Sequence, residues 1–273
     1  MTSFKTLAAR TAAFLHLLTY CSATPFALSP RDLLTPIAPS SSADVARWSP
    51  ALDYDRDCCY NTVAISPSGQ YNAGQDSQKN IDEVLGFCRN ENRLSKTNVY
   101  ARAKCNGGWC AYMYDYYFES DHGIGGHRHD WEHIVVWVKG GDLSFVSVSA
   151  HGKWITRKAS SGIRMEQGTH AKIVYHKNDI FGFGTRCFRF ANDKDEPAEN
   201  QWHSWRWGAG AGLIEWGRMN HWIQALLSKK DWGTAQMAVR SDPDGGAWNF
   251  GWYLDQSRKL GDENLAPEFN PWA

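Results

Sequence analysis

The stretch Gly125-Gly126-His127-Arg128-His129-Asp130-Trp131-Glu132-His133 places three imidazoles, two carboxylates and a guanidinium in seven consecutive positions. Burying so many ionisable groups is costly unless they pair with one another or hold a cation. If the stretch is extended, alternate residues face alternate sides. Asp130 and Glu132 then share one face, with His129, Trp131 and His133 on the other. Two carboxylates at that spacing repel unless something positive lies between them. Arg128, on their own face, is one candidate and a divalent cation is the other. Oxygen donors suit hard ions such as Ca²⁺ or Mg²⁺, whereas the histidines would suit Zn²⁺. The imidazoles lack the four-residue helical spacing of the two-histidine zinc motif. Spacing alone leaves a salt-bridged polar cluster and a metal site equally open.

The elements around this stretch must hold it at a cleft. Ile134-Val135-Val136-Trp137-Val138 follows directly and reads as a buried strand, while Gly125-Gly126 reads as the turn that opens it. The ionisable cluster therefore sits where a loop enters a sheet, a position from which a rigid scaffold can present polar groups. Upstream, Asn98 to Arg102 and Ala111 to Phe118 read as strands. In the second of these, Tyr112, Tyr114, Tyr116 and Phe118 form an aromatic face, and Asp115 on the other face needs a partner. Leu143 to Ser149, Ala171 to His176 and Cys187 to Ala191 read as further strands. Asn80 to Cys88 and Leu213 to Ser228 carry helical spacing, and Trp232 to Arg240 reads as a last strand. Six or seven short strands with few helices predict a mainly β chain: a single antiparallel β-sandwich flanked by a few helices.

Gly126-His127-Arg128-His129-Asp130-Trp131-Glu132 resembles the signature heptapeptide of the necrosis- and ethylene-inducing-peptide-like proteins, the NLP family of secreted cytolysins. Four collinear blocks extend the resemblance. They are Cys59-Tyr60-Asn61-Thr62, Ala111 to Phe118, Ser149-Ala150-His151-Gly152, and Gly168 to Tyr175. The resemblance implies a sandwich similar to actinoporins and certain fungal lectins. It also implies a metal site built from Asp121, His127, Asp130 and Glu132, with Ca²⁺ or Mg²⁺ as the ion. Glu119 is a rival carboxylate in the same linker, and that linker is shorter than the family pattern. Arg128, His129 and His151 are expected to support the cleft. His170 resembles a family position as well.

The first residues read as an export signal. Lys5 and Arg10 precede an apolar stretch from Ala12 to Tyr20, and Cys21-Ser22-Ala23 fits a cleavage site. Residues 24–47, rich in Pro, Ser and Ala, read as a flexible arm, residues 48–250 as the folded domain, and 251–273 as a loosely attached tail. Formal charge is zero over 273 residues. Loss of residues 1–23 leaves 27 basic against 29 acidic residues, so nothing points to nucleic acid. Fourteen tryptophans suit sites that are apolar on one side and wet on the other, or an aromatic β core. Six cysteines remain after the signal, an even number that reads as a disulfide framework. Cys105 and Cys110 bracket a turn and predict a local bridge. The resemblance implies Cys59–Cys88, which leaves Cys58 and Cys187 for a third. The loop Asn178 to Gly184 carries apolar side chains that either meet a membrane or fold back on the core.

Taken together, the resemblance implies a non-enzymatic cytolysin, monomeric in solution and secreted into the host apoplast. Its partners would be the plant plasma membrane and the sugar heads of glycosyl inositol phosphoryl ceramide sphingolipids. Two alternatives belong to other classes. One is a non-toxic apoplastic binding protein or immune-recognised pattern. The other is a metal-dependent hydrolase with Glu132 or His133 as base.

Overall fold

A hairpin that begins at Val99 lies in the largest sheet, and its pairing sets the register of the motif. The computed structural model describes residues 33–178, 184–241 and 248–273. Strands β1 (Ala51–Tyr54), β2 (Val99–Asn106), β3 (Trp109–Phe118), β4 (Asp130–Lys139), β5 (Asp142–Ala150) and β6 (Lys153–Lys158) come first in the chain. They are followed by β7 (Met165–Glu166), β8 (His170–Lys177), β9 (Arg186–Phe190) and β10 (Leu213–Glu215). A six-stranded sheet runs β10-β2-β3-β4-β5-β6, and a second sheet joins β1, β8, β7 and β9. Pairing is antiparallel apart from two edges, β10 on β2 and β1 on β8. The chain is thus a β-sandwich with few helices.

Both faces of the six-stranded sheet are buried, which explains the near-continuous apolar sequence of β3 and β4. One face packs on the second sheet through Tyr114, Tyr116, Phe118, Ile134, Val136, Ile173, Tyr175 and Phe188. The other face carries Met113, Tyr117, Trp131, Val135 and Trp137, and is covered by the C-terminal segment through Met237, Val239, Phe250, Leu254 and Phe269. The aromatic face of β3 is therefore core, as alternation predicts. Its opposite face is core too, and there Asp115 accepts from His133 Nδ1 (2.9 Å) and from the Val239 amide (2.9 Å).

Several expectations need correction. The arm is fixed over its described part: Asn98 holds the Ile37 backbone in both directions at 2.9 Å, Ser40 bridges to Ile214, and α1 (Ala43–Arg47) buries Val45. The tail is also docked. Helix α5 lies at Phe250–Ser257, beyond α2 (Ile81–Cys88), α3 (Glu91–Ser95) and α4 (His221–Lys229). Arg258 then ties the tail down by donating to the Ala266 (3.0 Å) and Phe269 (2.7 Å) carbonyls. The helix expected from Leu213 begins only at His221, because Leu213–Glu215 pair with β2 and Asn220 caps the later start. Residues 232–240 form no strand; they cover the sheet as irregular chain.

Disulfides Cys59–Cys88 and Cys105–Cys110 form. Cys58 and Cys187 do not pair. The Cys58 thiol lies against Asp57, whereas Cys187 Sγ lies 3.5 Å from His176 Nε2. Burial raises the Cys58 thiol well above its ordinary range and pushes Cys187 up to about 12, so both stay protonated. The export signal at 1–23 and most of the apolar loop (179–183) lie outside the described residues. Among the described residues no helix is long and apolar enough to cross a membrane.

Candidate functional site

Register brings the acidic groups together. The Asp121–His127 turn closes on itself by a reciprocal pair of backbone hydrogen bonds, 2.9 and 3.0 Å. Gly126 permits this closure, since a Cβ there would meet the Asp121 carbonyl oxygen at 2.2 Å. His127 then faces Asp121, with Nε2 3.8 Å from the carboxylate. Its Nδ1 donates to the His129 carbonyl (2.5 Å), so Nε2 is the nitrogen left for the cleft. Three residues on, β4 starts with Asp130 and Glu132 on the face toward the second sheet.

Asp121, His127, Asp130, Glu132 and His151 line one cavity of about 520 Å³. Each carboxylate is positioned by a neutral donor. The Arg186 amide donates to Asp121 (2.7 Å) and the Tyr175 hydroxyl to Asp130 (2.8 Å). The Ser149 hydroxyl donates to Glu132 while accepting from the His133 amide at 2.7 Å. Apart from the long His127 contact to Asp121, none of these carboxylates forms an ion pair among the described residues. The Arg186 guanidinium is engaged by the backbone carbonyls of Asp57, His122 and Gly184. Burial, reinforced by Asp130, pushes Asp121 up to about 8. Burial also raises Asp130, and it raises Glu132 well above its ordinary value, with Asp130 and Asp121 adding to the shift of Glu132.

The expected support residues divide. His151 sits at the rim with Nδ1 3.3 Å from the Thr185 hydroxyl. Arg128 does not lie between the carboxylates: its guanidinium is exposed and directed to the Ala73 carbonyl (3.4 Å). His129 turns to the other face, against Trp232 and with Nδ1 2.7 Å from the Tyr117 hydroxyl, and burial pulls it down to about 4. Glu119, the rival ligand, is buried against Arg93 at 2.6 and 2.9 Å and takes no part in the cavity.

One wall of the cavity escapes sequence reasoning. Trp154 on β6 and Trp248, Trp252 and Tyr253 from the C-terminal segment stand across from the carboxylates. Trp248 leans on Trp252 at 4.4 Å between ring centroids, and Tyr253 meets His133 at 4.9 Å. Trp248 holds φ +68°, a left-handed conformation that costs energy for a bulky residue, and its indole stays half exposed. The available signal was the four-residue spacing of Trp248 and Trp252, which straddle the boundary drawn at residue 250 between domain and tail.

The donor set fits a hard divalent cation in chemistry, with buried carboxylate oxygens lacking a cationic partner and one imidazole nitrogen beside them. Among the described residues, however, no three His, Cys, Asp or Glu side chains stand close enough to hold an ion as placed.

Residues 42–254 match the family described as Necrosis inducing protein (NPP1). NLP effector protein 10 of Phytophthora capsici is 27% identical over 198 residues, covering 70% of each chain. Necrosis-inducing protein NPP1 of Phytophthora nicotianae is 28% identical over 192 residues, covering 67% of this chain and 71% of that protein. Among solved structures, NLPPya in complex with glucosamine superposes with a TM-score of 0.65. At 24% identity, it covers 84% of this chain and 98% of that one.

Proposed function

Because the chain belongs to the necrosis inducing protein family, we propose that it is a secreted, metal-dependent cytolysin that binds sugar head groups of plant sphingolipids and damages the plasma membrane. The observation that carries this reading is the pairing, in one open cavity, of buried carboxylates lacking a cationic partner with an aromatic wall. An active enzyme also needs polar groups in a cleft, but an indole wall suits the apolar face of a sugar ring. The glucosamine bound by a protein of the same fold has that chemistry.

Ca²⁺ or Mg²⁺ would be held by Asp121, Asp130 and Glu132 with His127, and when bound supplies positive charge and affinity for sugar hydroxyl oxygens. The chain's own residues do the rest. Tyr175, Ser149 and the Arg186 amide hold the carboxylates in place. Trp252 and Trp248 stack on the ring and exclude water from one side. Glycosyl inositol phosphoryl ceramides supply such a ring at a membrane surface. No covalent bond is broken in this scheme.

Infiltration of purified protein into dicot and monocot leaves, with and without chelator, tests it. Asp130→Ala is expected to abolish necrosis while remaining folded, and chelator to do the same to the natural chain. Trp252→Ala is expected to weaken binding to sphingolipid-bearing liposomes about threefold to tenfold. A folded Asp130→Ala variant with full toxicity removes the cleft from the mechanism. A natural chain that binds the liposomes but leaves both kinds of leaf healthy is instead a non-toxic binding protein.

A further inference from the structure

A second cavity, of about 570 Å³, has the opposite character from the acidic cleft. His170 opens β8 beside it, whereas Tyr175, five residues along, reaches Asp130. At roughly 3.3 Å per residue the two sites lie about 16 Å apart along the strand. Arg47, His170, Trp205, Arg206 and Trp207 line the second cavity, and no carboxylate does.

The site is built by contacts between segments remote in sequence. Ser49 donates to the Ala46 carbonyl (2.9 Å) and accepts from the Gly208 amide (3.0 Å), so it fastens the 208–210 turn to α1. The Ser49 carbonyl also accepts from His170 Nδ1 at 2.7 Å. His170 is 7% exposed, and with Nδ1 committed its Nε2 is the nitrogen available to the cavity. Its ring tilts against Trp207 at 5.1 Å. Arg206 lies 4.2 Å over the Trp202 ring and donates to the Gly210 carbonyl. Arg47 lies 5.1 Å over Trp48. Neither guanidinium forms an ion pair among the described residues. The acids beside His170 and Trp205 are otherwise engaged: Glu166 and Glu196 both hold Lys172, at 3.0 and 2.5 Å, and Glu196 also accepts from Trp205 Nε1, while Asp44, one turn before Arg47 on α1, lines a different cavity.

We propose that this cavity binds an acidic saccharide, whose anionic group meets Arg47 and Arg206 while its ring lies on the half-buried Trp207 indole, Trp205 being packed beneath Lys172. Guanidinium is the side chain best shaped for a carboxylate or other oxyanion. Indole faces match the apolar face of a sugar ring, and His170 Nε2 can accept from a ring hydroxyl. Inorganic phosphate alone would leave the Trp207 indole and the imidazole unused. The proposal stands apart from the reading of the acidic cleft.

Titration calorimetry with trigalacturonate, its methyl ester and inorganic phosphate tests it on the full chain. The acid is expected to bind at least tenfold more tightly than the ester or phosphate, and to weaken as salt rises. Arg206→Gln should cost about tenfold in affinity and Arg47→Gln about threefold. Arg47 lies on the surface, so its variant keeps the test valid even if Arg206→Gln misfolds. Glu132→Gln, in the other cavity, should bind trigalacturonate as the natural chain does. Equal affinity for acid and ester overturns the proposal. So does phosphate binding as tightly as trigalacturonate, or a folded Arg47→Gln, Arg206→Gln double variant that still binds the acid normally.

Discussion

Glu119 and Glu132 are both buried glutamates, 1% and 7% exposed, yet the chain treats them in opposite ways. Glu119 lies just beyond β3 and receives two hydrogen bonds from Arg93, with Asn72 and Gln75 adding amide donors. Glu132 receives one hydroxyl and faces two further carboxylates. A buried carboxylate matched by a guanidinium serves the fold, because removing its partner strands a charge. A buried carboxylate without one contributes no comparable stability and is available to a ligand.

The largest test of this contrast is Arg93→Ala. It leaves Glu119 buried without a counter-charge and is expected to cost about 3–5 kcal/mol, read as a lower midpoint in urea unfolding. A loss no greater than that of a surface substitution would erase the distinction between the two glutamates.

A smaller effect belongs to the pair that half-buried Arg189 of β9 makes with buried Asp195 in the turn that follows. Burial pushes Asp195 up, but hydrogen bonds from Arg189 and the Asn192 amide outweigh it and hold the group below its ordinary 3.8. A depressed carboxylate contributes stability above its unfolded value, lost as pH falls through its folded value. Arg189→Gln should therefore cost on the order of 1 kcal/mol near neutrality. The difference from the natural chain should close as pH falls below 3.8, followed by thermal melts across the acid range.

The smallest effect is expected in the cleft itself. Glu132→Gln preserves shape and removes a carboxylate that its neighbours oppose, so its melting temperature in chelator should equal or exceed that of the natural chain. A marked drop would mean that Glu132 serves the fold as Glu119 does.

Much of the site was legible from local pattern. Alternation placed Asp130 and Glu132 on one face of β4 and opposed them to Trp131 and His133. The strands β2, β3, β5, β8 and β9 followed from short apolar runs, and α2 from its helical spacing. The bracketed turn at Cys105–Cys110 needed only a count of residues between the two thiols. Proximity in sequence was a poor guide elsewhere. Arg128 adjoins the carboxylates in sequence but leaves them for the Ala73 carbonyl, and Glu119 was claimed by a side chain 26 residues away. The arm reads as flexible and the tail as loosely attached because polar, Pro- and Gly-containing segments carry no periodicity. Their order comes from partners far along the chain, such as Asn98 for Ile37.

Residue order alone thus settled the motif, the strands that carry it and the faces of Asp130, Trp131, Glu132 and His133 within β4, since these depend on backbone period and short-range contacts. Three-dimensional packing alone decided which buried acids meet a guanidinium. It also brought the indoles of residues 248–252 opposite the motif and gathered Arg47, His170 and Arg206 around a second cavity. Each of those outcomes joins different segments, from 26 positions apart for Arg93 and Glu119 to more than a hundred for the second cavity, and no local periodicity carries information over such separations.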